Sequence, residues 1–222
     1  MSIHASAIID PSAEIHESVE IGPYTIIEGR TSIGEGTVIG SGVRIYQGTQ
    51  IGKRNRVDHN VALGCEPQDL GFTPDIQSGL IIGDDNHFRE SMNISRGSKD
   101  GNNTIIGNHN YFMSLTHVAH DCVFGDHNVM TQSAIIAGHS TVGHRAFISG
   151  LVAVHQNVNI GDYAMVAGLA KIVKDVPPYA TIDGNPATVI GLNVVGLRRA
   201  GFDQAQRNQI QRAYKTISHS GL

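Results

Sequence analysis

The 222-residue chain has no tryptophan, only two cysteines (Cys65 and Cys122) and 5% aromatic residues. Two cysteines cannot build a disulfide framework. No apolar run approaches membrane-spanning length, so stable membrane insertion is not expected. The N-terminal stretch MSIHASAIIDPSAEIHESVE lacks a basic segment followed by an apolar one. A secretory signal is therefore not expected, and a cytoplasmic location is the default. A net charge of −4 gives no reason to expect nucleic-acid binding. Glycine, by contrast, is plentiful at 26 residues, which favours many tight turns over long helices.

Self-similarity is the dominant signal. Aliphatic residues recur at every sixth position from Ile3 through Ile9, Ile15, Ile21 and Ile27 to Leu63, resume at Ile82, and run again from Ile106 to Ile172. A helix would repeat every 3.6 residues and a flat strand every two. Period six is the hexapeptide signature of a parallel β-helix, in which three hexads form one 18-residue coil. Gly often follows the aliphatic residue, as at Gly22, Gly34, Gly52, Gly107, Gly125 and Gly143, which predicts corners with unusual backbone angles. Four places after the aliphatic the residue is small or β-branched, as at Val19, Thr25, Thr37, Ala134 and Ala146, and this position is predicted to point inward.

The period breaks twice, near 64–81 (GCEPQDLGFTPDIQSGLI) and near 95–105 (SRGSKDGNNTI). Both read as loops thrown out of the coil, the usual place for ligand contacts on a rigid scaffold. The β-helix is predicted over 1–186 and a short helical segment over 187–222. There VVGLRRAG ends on Gly201, Asp203 with Gln206 forms a capping pair, and Ile210, Ala213, Tyr214 and Ile217 share a helical face.

Stacking arithmetic assigns the stretch LTHVAHDCVFGDH, residues 115–127. Residues 18 apart lie one above the other, so Gly138 covers His120 and His139 covers Asp121. Both pairs fall in outward corners, and His155 lies close to the same edge. A His beside a carboxylate suits a general base, because the carboxylate fixes the tautomer and stabilises the imidazolium. Gly138 leaves its backbone N–H unobstructed as an oxyanion donor. Cys122 falls in an inward slot and behaves as a buried apolar residue, not a nucleophile. His109 and His127, also 18 apart, read as solvated turn residues.

HVAHDC (117–122), AGH (137–139), AVHQ (153–156), DVPPY (175–179) and GNPATVIGLNVVGLRRAGF (184–202) together resemble the UDP-N-acetylglucosamine O-acyltransferases that start lipid A synthesis. QDL (68–70) and RES (89–91) are similar to that family's two loops. The resemblance implies an all-β fold, a left-handed parallel β-helix with a short α-helical C-terminal extension; the period alone does not set the hand. It implies a homotrimer that moves a (3-hydroxy)acyl chain from the phosphopantetheine of acyl carrier protein to the 3-hydroxyl of a UDP-N-acetyl sugar. No metal and no resident cofactor is implied. His120 becomes the general base, Asp121 its orienting carboxylate and Gly138 the oxyanion donor. Gln68, Asp69, His117, His139 and Gln156 match sugar and pocket positions. His155 and Gly168 match the acyl groove, and Asn193 and Arg199 match nucleotide contacts. Independently, Arg198, Arg199, Arg207, Arg212 and Lys215 against the single acid Asp203 suit an acidic carrier protein.

The sequence departs from the family pattern at Gly71 (Lys in the family), Ser95 (His), Val195 (an acid) and Ala200 (the second Arg of a pair). These positions concern the acceptor, so a related O- or N-acyltransferase with another acceptor, or a weakly active or non-catalytic paralogue, is an alternative. A zinc hydrase resembling the γ-type carbonic anhydrases is another, resting on the five-residue separation of His139 and His144.

Overall fold

The computed structural model describes residues 2–219, with side chains through residue 216. Ile217 is therefore outside the described side chains. Among the described residues, 28 strands, most of two residues, precede two helices. The strands form three sheets of 11, 9 and 8 strands. Ser2–Ile3 pairs in parallel with Glu20–Ile21, Ile8–Ile9 with Ile26–Ile27, and Glu14–Ile15 with Ser32–Ile33. Each strand thus meets the one 18 residues on, and the chain climbs a three-sided prism whose faces are here called the first, second and third sheets. The spacing between coils is that of neighbouring strands, about 4.8 Å.

Both periodic positions point inward. Ile27, Ile45, Leu63, Val118, Ile136 and Val166 are at most 1% exposed, and so are Val19, Thr25, Thr37, Ala134 and Ala146. Ile3, Ile9 and Ile15 are less buried because they sit in the first coil, which among the described residues is covered on one side only. Phe88 stacks on Phe112 at 5.4 Å and Phe112 meets Phe124 at 5.5 Å. The small-residue slot also admits a buried asparagine ladder that composition did not announce. Asn86 Nδ2 donates to Asn55 Oδ1, Asn110 Nδ2 to Asn86 Oδ1, and Asn128 N–H to Asn110 Oδ1. Each side-chain amide of the ladder has a hydrogen-bond partner, so burial does not orphan it.

The corner glycines have a different cause from the expected one. The left-handed residue stands two places further on, at Tyr24, Arg54, Asp85, His109 and Asp121, with φ between 51° and 59°. Gly22, Gly34 and Gly52 do not adopt positive φ; a Cβ at Gly22 or Gly34 would lie 2.7 Å from backbone atoms of the next coil. Glycine is required there for close approach between coils, not for backbone freedom.

The two breaks in period are loops at 66–78 and 96–102, and pairing continues across both, Thr49–Ile51 with Gly79–Ile82 and then with Asn103–Ile106. At the C-terminal end Ala180–Gly184 and Ala187–Leu192 form an antiparallel hairpin. Helix α1 (Val194–Arg199) is capped by Asn193, whose side chain accepts from the Gly196 N–H, and it buries Leu197. Helix α2 (Gln204–His219) starts on the expected reciprocal cap: Asp203 N–H donates to Gln206 Oε1 and Gln206 N–H to Asp203 Oδ1, both at 2.8 Å. Ile210 and Tyr214 are half-buried, whereas Ala213 is exposed. The Tyr214 hydroxyl donates to the Pro178 carbonyl and pins α2 to the top of the prism.

Candidate active site

His120 and Asp121 occupy the edge between the second and third sheets, directly after the strand His117–Val118. Asp121 takes the left-handed corner conformation at φ 59°, and His139 repeats it one coil on at φ 60°. The His139 N–H donates to the His120 carbonyl at 3.0 Å, so the two corners are in register. His120 Nδ1 lies 2.8 Å from Asp121 Oδ2. That bond places the ring proton on Nδ1 and leaves the Nε2 lone pair free to take a proton. Side-chain exposure is 14% for His120 and 7% for Asp121, so the pair is largely withdrawn from water.

Gly138 lies against the flat of that ring. A Cβ built on it would be 2.7 Å from His120 Cε1 and 2.8 Å from Nε2, so only glycine fits against the base. The Gly138 carbonyl accepts from Asn157, while its N–H has no acceptor among the described residues. An unpaired N–H beside a general base is a ready donor to developing negative charge.

The loop at 96–102 supplies what sequence reasoning missed. Ser98 N–H reaches Asp121 Oδ2 at 3.1 Å and Asn102 Nδ2 reaches Oδ1 at 3.0 Å, while the Asp121 N–H donates to Thr104 Oγ1 at 2.9 Å. Burial pushes the Asp121 carboxyl up, but donation from Ser98, His120 and Asn102 outweighs it and holds the group below the usual carboxylate range. The one available signal was positional: the break in period stands one coil before His120. His139 completes the cluster, with Nδ1 3.8 Å from Asp121 Oδ2 and its ring edge-on to His120 at 5.0 Å. His117 projects from the second sheet onto Asn93, and burial followed by the nearby His120 charge lowers its pKa.

Cys122 is fully buried, donates to the Ala137 carbonyl, and has its thiol pushed up to about 12 by burial. It is not a nucleophile. His120, Asp121 and His139 are close enough to share a cation, their ligand atoms lying within 4.8 Å of one another. The His139 and His144 pairing is not assembled within the chain: His144 sits beyond the next strand, Thr141–Val142, where its Nδ1 accepts the Asp126 N–H.

Comparison with known proteins decides the family. The family profile described as UDP N-acetylglucosamine O-acyltransferase, domain 2, matches residues 175–222. An acyl-[acyl-carrier-protein]–UDP-N-acetylglucosamine O-acyltransferase of Burkholderia thailandensis is 48% identical over 221 residues, covering 99% of this chain and 84% of that protein. The chain belongs to the UDP-N-acetylglucosamine O-acyltransferase family. A relative of the same description from Gloeothece citriformis is 43% identical, and there the match spans 76% of this chain and 60% of the relative. The crystal structure of the O-acyltransferase of Moraxella catarrhalis superposes with a TM-score of 0.95 at 42% identity, over 100% of this chain and 86% of that one. The enzyme of Bacteroides fragilis gives 0.95 at 37%, over 99% and 86%. The coil is accordingly the left-handed parallel β-helix of this family.

The other positions that matched O-acyltransferases are spread over the prism. His155 and Gln156 continue the His120 edge by one coil. They line a groove of about 320 Å³ with Ala137, Ala153, Lys171 and Ile172. Gln68 and Asp69 lie exposed on the 66–78 loop, where Asp69 Oδ1 accepts the Gly71 N–H at 2.8 Å. Gly168 sits on the edge between the first and second sheets. Asn193 and Arg199 sit by the edge between the third and first, Asn193 Nδ2 donating to the Tyr163 carbonyl at 2.8 Å. Ser95 is buried at 1% and faces Cys65 Sγ at 3.6 Å, so it offers nothing to a ligand. No helix among the described residues is long and apolar enough to cross a membrane.

Proposed function

We propose that this chain transfers an acyl group, a (3-hydroxy)acyl chain, from the phosphopantetheine thioester of acyl carrier protein to the 3-hydroxyl of a UDP-N-acetyl sugar, as in the first step of lipid A biosynthesis. The observation that carries this reading is the His120–Asp121 pair lying against the bare Gly138, with a groove beginning at Ala137. His120 Nε2 takes the proton of the acceptor hydroxyl as its oxygen attacks the thioester carbonyl. Asp121 stabilises the resulting imidazolium. The Gly138 N–H donates to the oxyanion of the tetrahedral intermediate. Collapse expels the thiolate, which recovers its proton from His120. The acyl chain follows the groove past His155. His117, His139 and Gln156 border the sugar. The residues themselves supply every proton transfer, so the step needs no metal and no resident cofactor.

Catalytic and nucleotide-contacting positions lie on different edges of one protomer, as do His155 and Gly168. A substrate that touches both sets must bridge two copies, which supports a homotrimer with sites between subunits. The exposed Arg198 and Arg212 suit an acidic carrier protein. We place the protein in the cytoplasm, where its donor would be.

A different acceptor is the second reading, favoured by the buried Ser95 and by Val195 and Ala200 beside Arg199. Both readings are tested by incubating purified protein with acyl-loaded carrier protein and a set of UDP-sugars, including a 3-amino sugar, with products read by mass. His120→Ala should abolish product while the assembly stays intact by sedimentation; turnover at the wild-type rate by this variant would end the assignment of the base.

A further inference from the structure

The edge between the third and first sheets carries a column of left-handed corner residues: Arg54, Asp85, His109, His127, Arg145, Tyr163 and Tyr179, with φ between 51° and 68°. Successive members are stacked by the coil. His109 and His127 lie parallel at 4.6 Å and 7°, and Tyr163 and Tyr179 at 5.8 Å and 23°. Charges low in the column are paired, with Arg54 on Asp85 at 2.7 Å. Arg145, between His127 and Tyr163, has no carboxylate within 4.0 Å among the described residues, and Arg199 has none either.

The C-terminal segment is fastened over this column. Phe202 packs edge-on against Tyr163 at 5.2 Å and Tyr179 at 6.1 Å, and the Asn193 N–H donates to the Tyr179 carbonyl at 2.7 Å. These contacts hold α1 beside the column, so Arg199 shares a pocket of about 180 Å³ with His127, Arg145, Tyr163 and Asn193. Among the described residues no acid lines the pocket. Two guanidiniums around one small concavity repel each other until an anion enters. The volume is below the roughly 300–1,000 Å³ of pockets that enclose a whole organic ligand, and suits a compact anion. A second chamber of about 470 Å³ adjoins it through Asn193, Gly196 and Arg199, and is walled by Phe147, Met165, Leu192, Val194 and Val195.

We propose that Arg145 is a further specificity-determining residue: with Arg199 and His127 it grips the diphosphate of the acceptor, and the adjoining apolar chamber takes the base. This rests on the reading of the acceptor as a nucleotide sugar. The two cations come from different elements, a β-helix corner and a helix. Arg is suited to this role because its planar fork donates in parallel to phosphate oxygens.

The test is calorimetric titration of inorganic pyrophosphate and of UDP into the intact wild-type protein, Arg145→Gln and Arg145→Lys. Arg44→Gln, which removes the same charge from an ion pair with Glu28 on another face, is the control. Arg145→Gln should weaken both ligands about tenfold or more, Arg145→Lys less, and Arg44→Gln not at all. In steady-state acyl transfer Arg145→Gln should raise the acceptor KM and leave kcat nearly unchanged, a split that a merely structural role would not produce. Undiminished binding of pyrophosphate and UDP by Arg145→Gln, or no binding of either by the wild type, overturns the proposal. If the wild type transfers no acyl group yet loses pyrophosphate affinity through Arg145→Gln, the anion pocket stands and the acyltransferase reading falls.

Discussion

Replacing Gly138 with Ala isolates the geometry of the base from the stability of the fold. The added Cβ would stand 2.7 Å from His120 Cε1 and 2.8 Å from Nε2. Carbon atoms settle at about 3.5–4.0 Å, so the imidazole must retreat by roughly 0.8 Å or more. The ring is held by its 2.8 Å bond from Nδ1 to Asp121 Oδ2, and that retreat stretches the bond out of hydrogen-bonding range. Misplacing a catalytic group by about 1 Å costs about 10²-fold in rate, or about 2.7 kcal/mol of barrier. Folding should be little affected. Gly138 does not adopt positive φ, so Ala is allowed there, and the lost unfolded-state freedom offsets part of the strain. The expected result is a kcat about 10²-fold below wild type, an unchanged assembly and a nearly unchanged Tm. Gly191→Ala, where no atom lies within 4 Å of the added methyl, is the control. A kcat for Gly138→Ala within threefold of wild type would refute the placement of His120 against Gly138.

Asn102→Ala removes one donor from Asp121; a hydrogen bond to a charged group is worth about 1.5–3 kcal/mol, and kcat should fall severalfold with little change in KM, measured by steady-state acyl transfer. The Asp121 carboxyl is held below its ordinary value, so its contribution to stability is present above the unfolded carboxylate pKa of about 3.9 and is lost as pH falls through the lower folded value. In urea unfolding, Asp121→Asn should therefore be less stable than wild type near pH 6, with the gap closing towards pH 3; a gap constant with pH would contradict this. Cys122, buried and pushed up to about 12, should resist iodoacetamide in the native protein at pH 8 and react only after denaturation, and Cys122→Ala should keep its turnover. Dialysis against a chelator should leave acyl transfer intact; loss of activity restored by zinc would instead implicate the cluster of His120, Asp121 and His139.

The prism and the meeting of His120 with Gly138 were legible because both follow from one number, the 18-residue coil. Cys122 was legible for the same reason, since its slot in the hexad is inward. The glycine that often follows the aliphatic is legible as a special position but not in its cause, because the period reveals which positions are special and not whether backbone angle or close approach makes them so. The Asn55–Asn86–Asn110–Asn128 ladder is not legible in the sequence, because asparagine does not look like a core residue until its hydrogen-bond partner in an adjacent coil is known. Ser98 and Asn102 lie in an aperiodic loop, where no register predicts which residue reaches Asp121. Arg145 and Arg199 meet only because the tail folds back over Tyr163 and Tyr179, a contact between segments with no shared repeat.

One consequence of the coil concerns how such a molecule can change length. Adding or removing a full turn past Gln156 would shift whatever terminates the groove by about 4.8 Å while His120, Asp121 and Gly138 keep their places. Splicing in a single hexad between Gly138 and Gln156 would do something else: it would rotate every later residue by one side of the triangle, carrying Gln156 off the catalytic ridge altogether. Growth of this molecule is therefore quantised, and only whole turns preserve its chemistry.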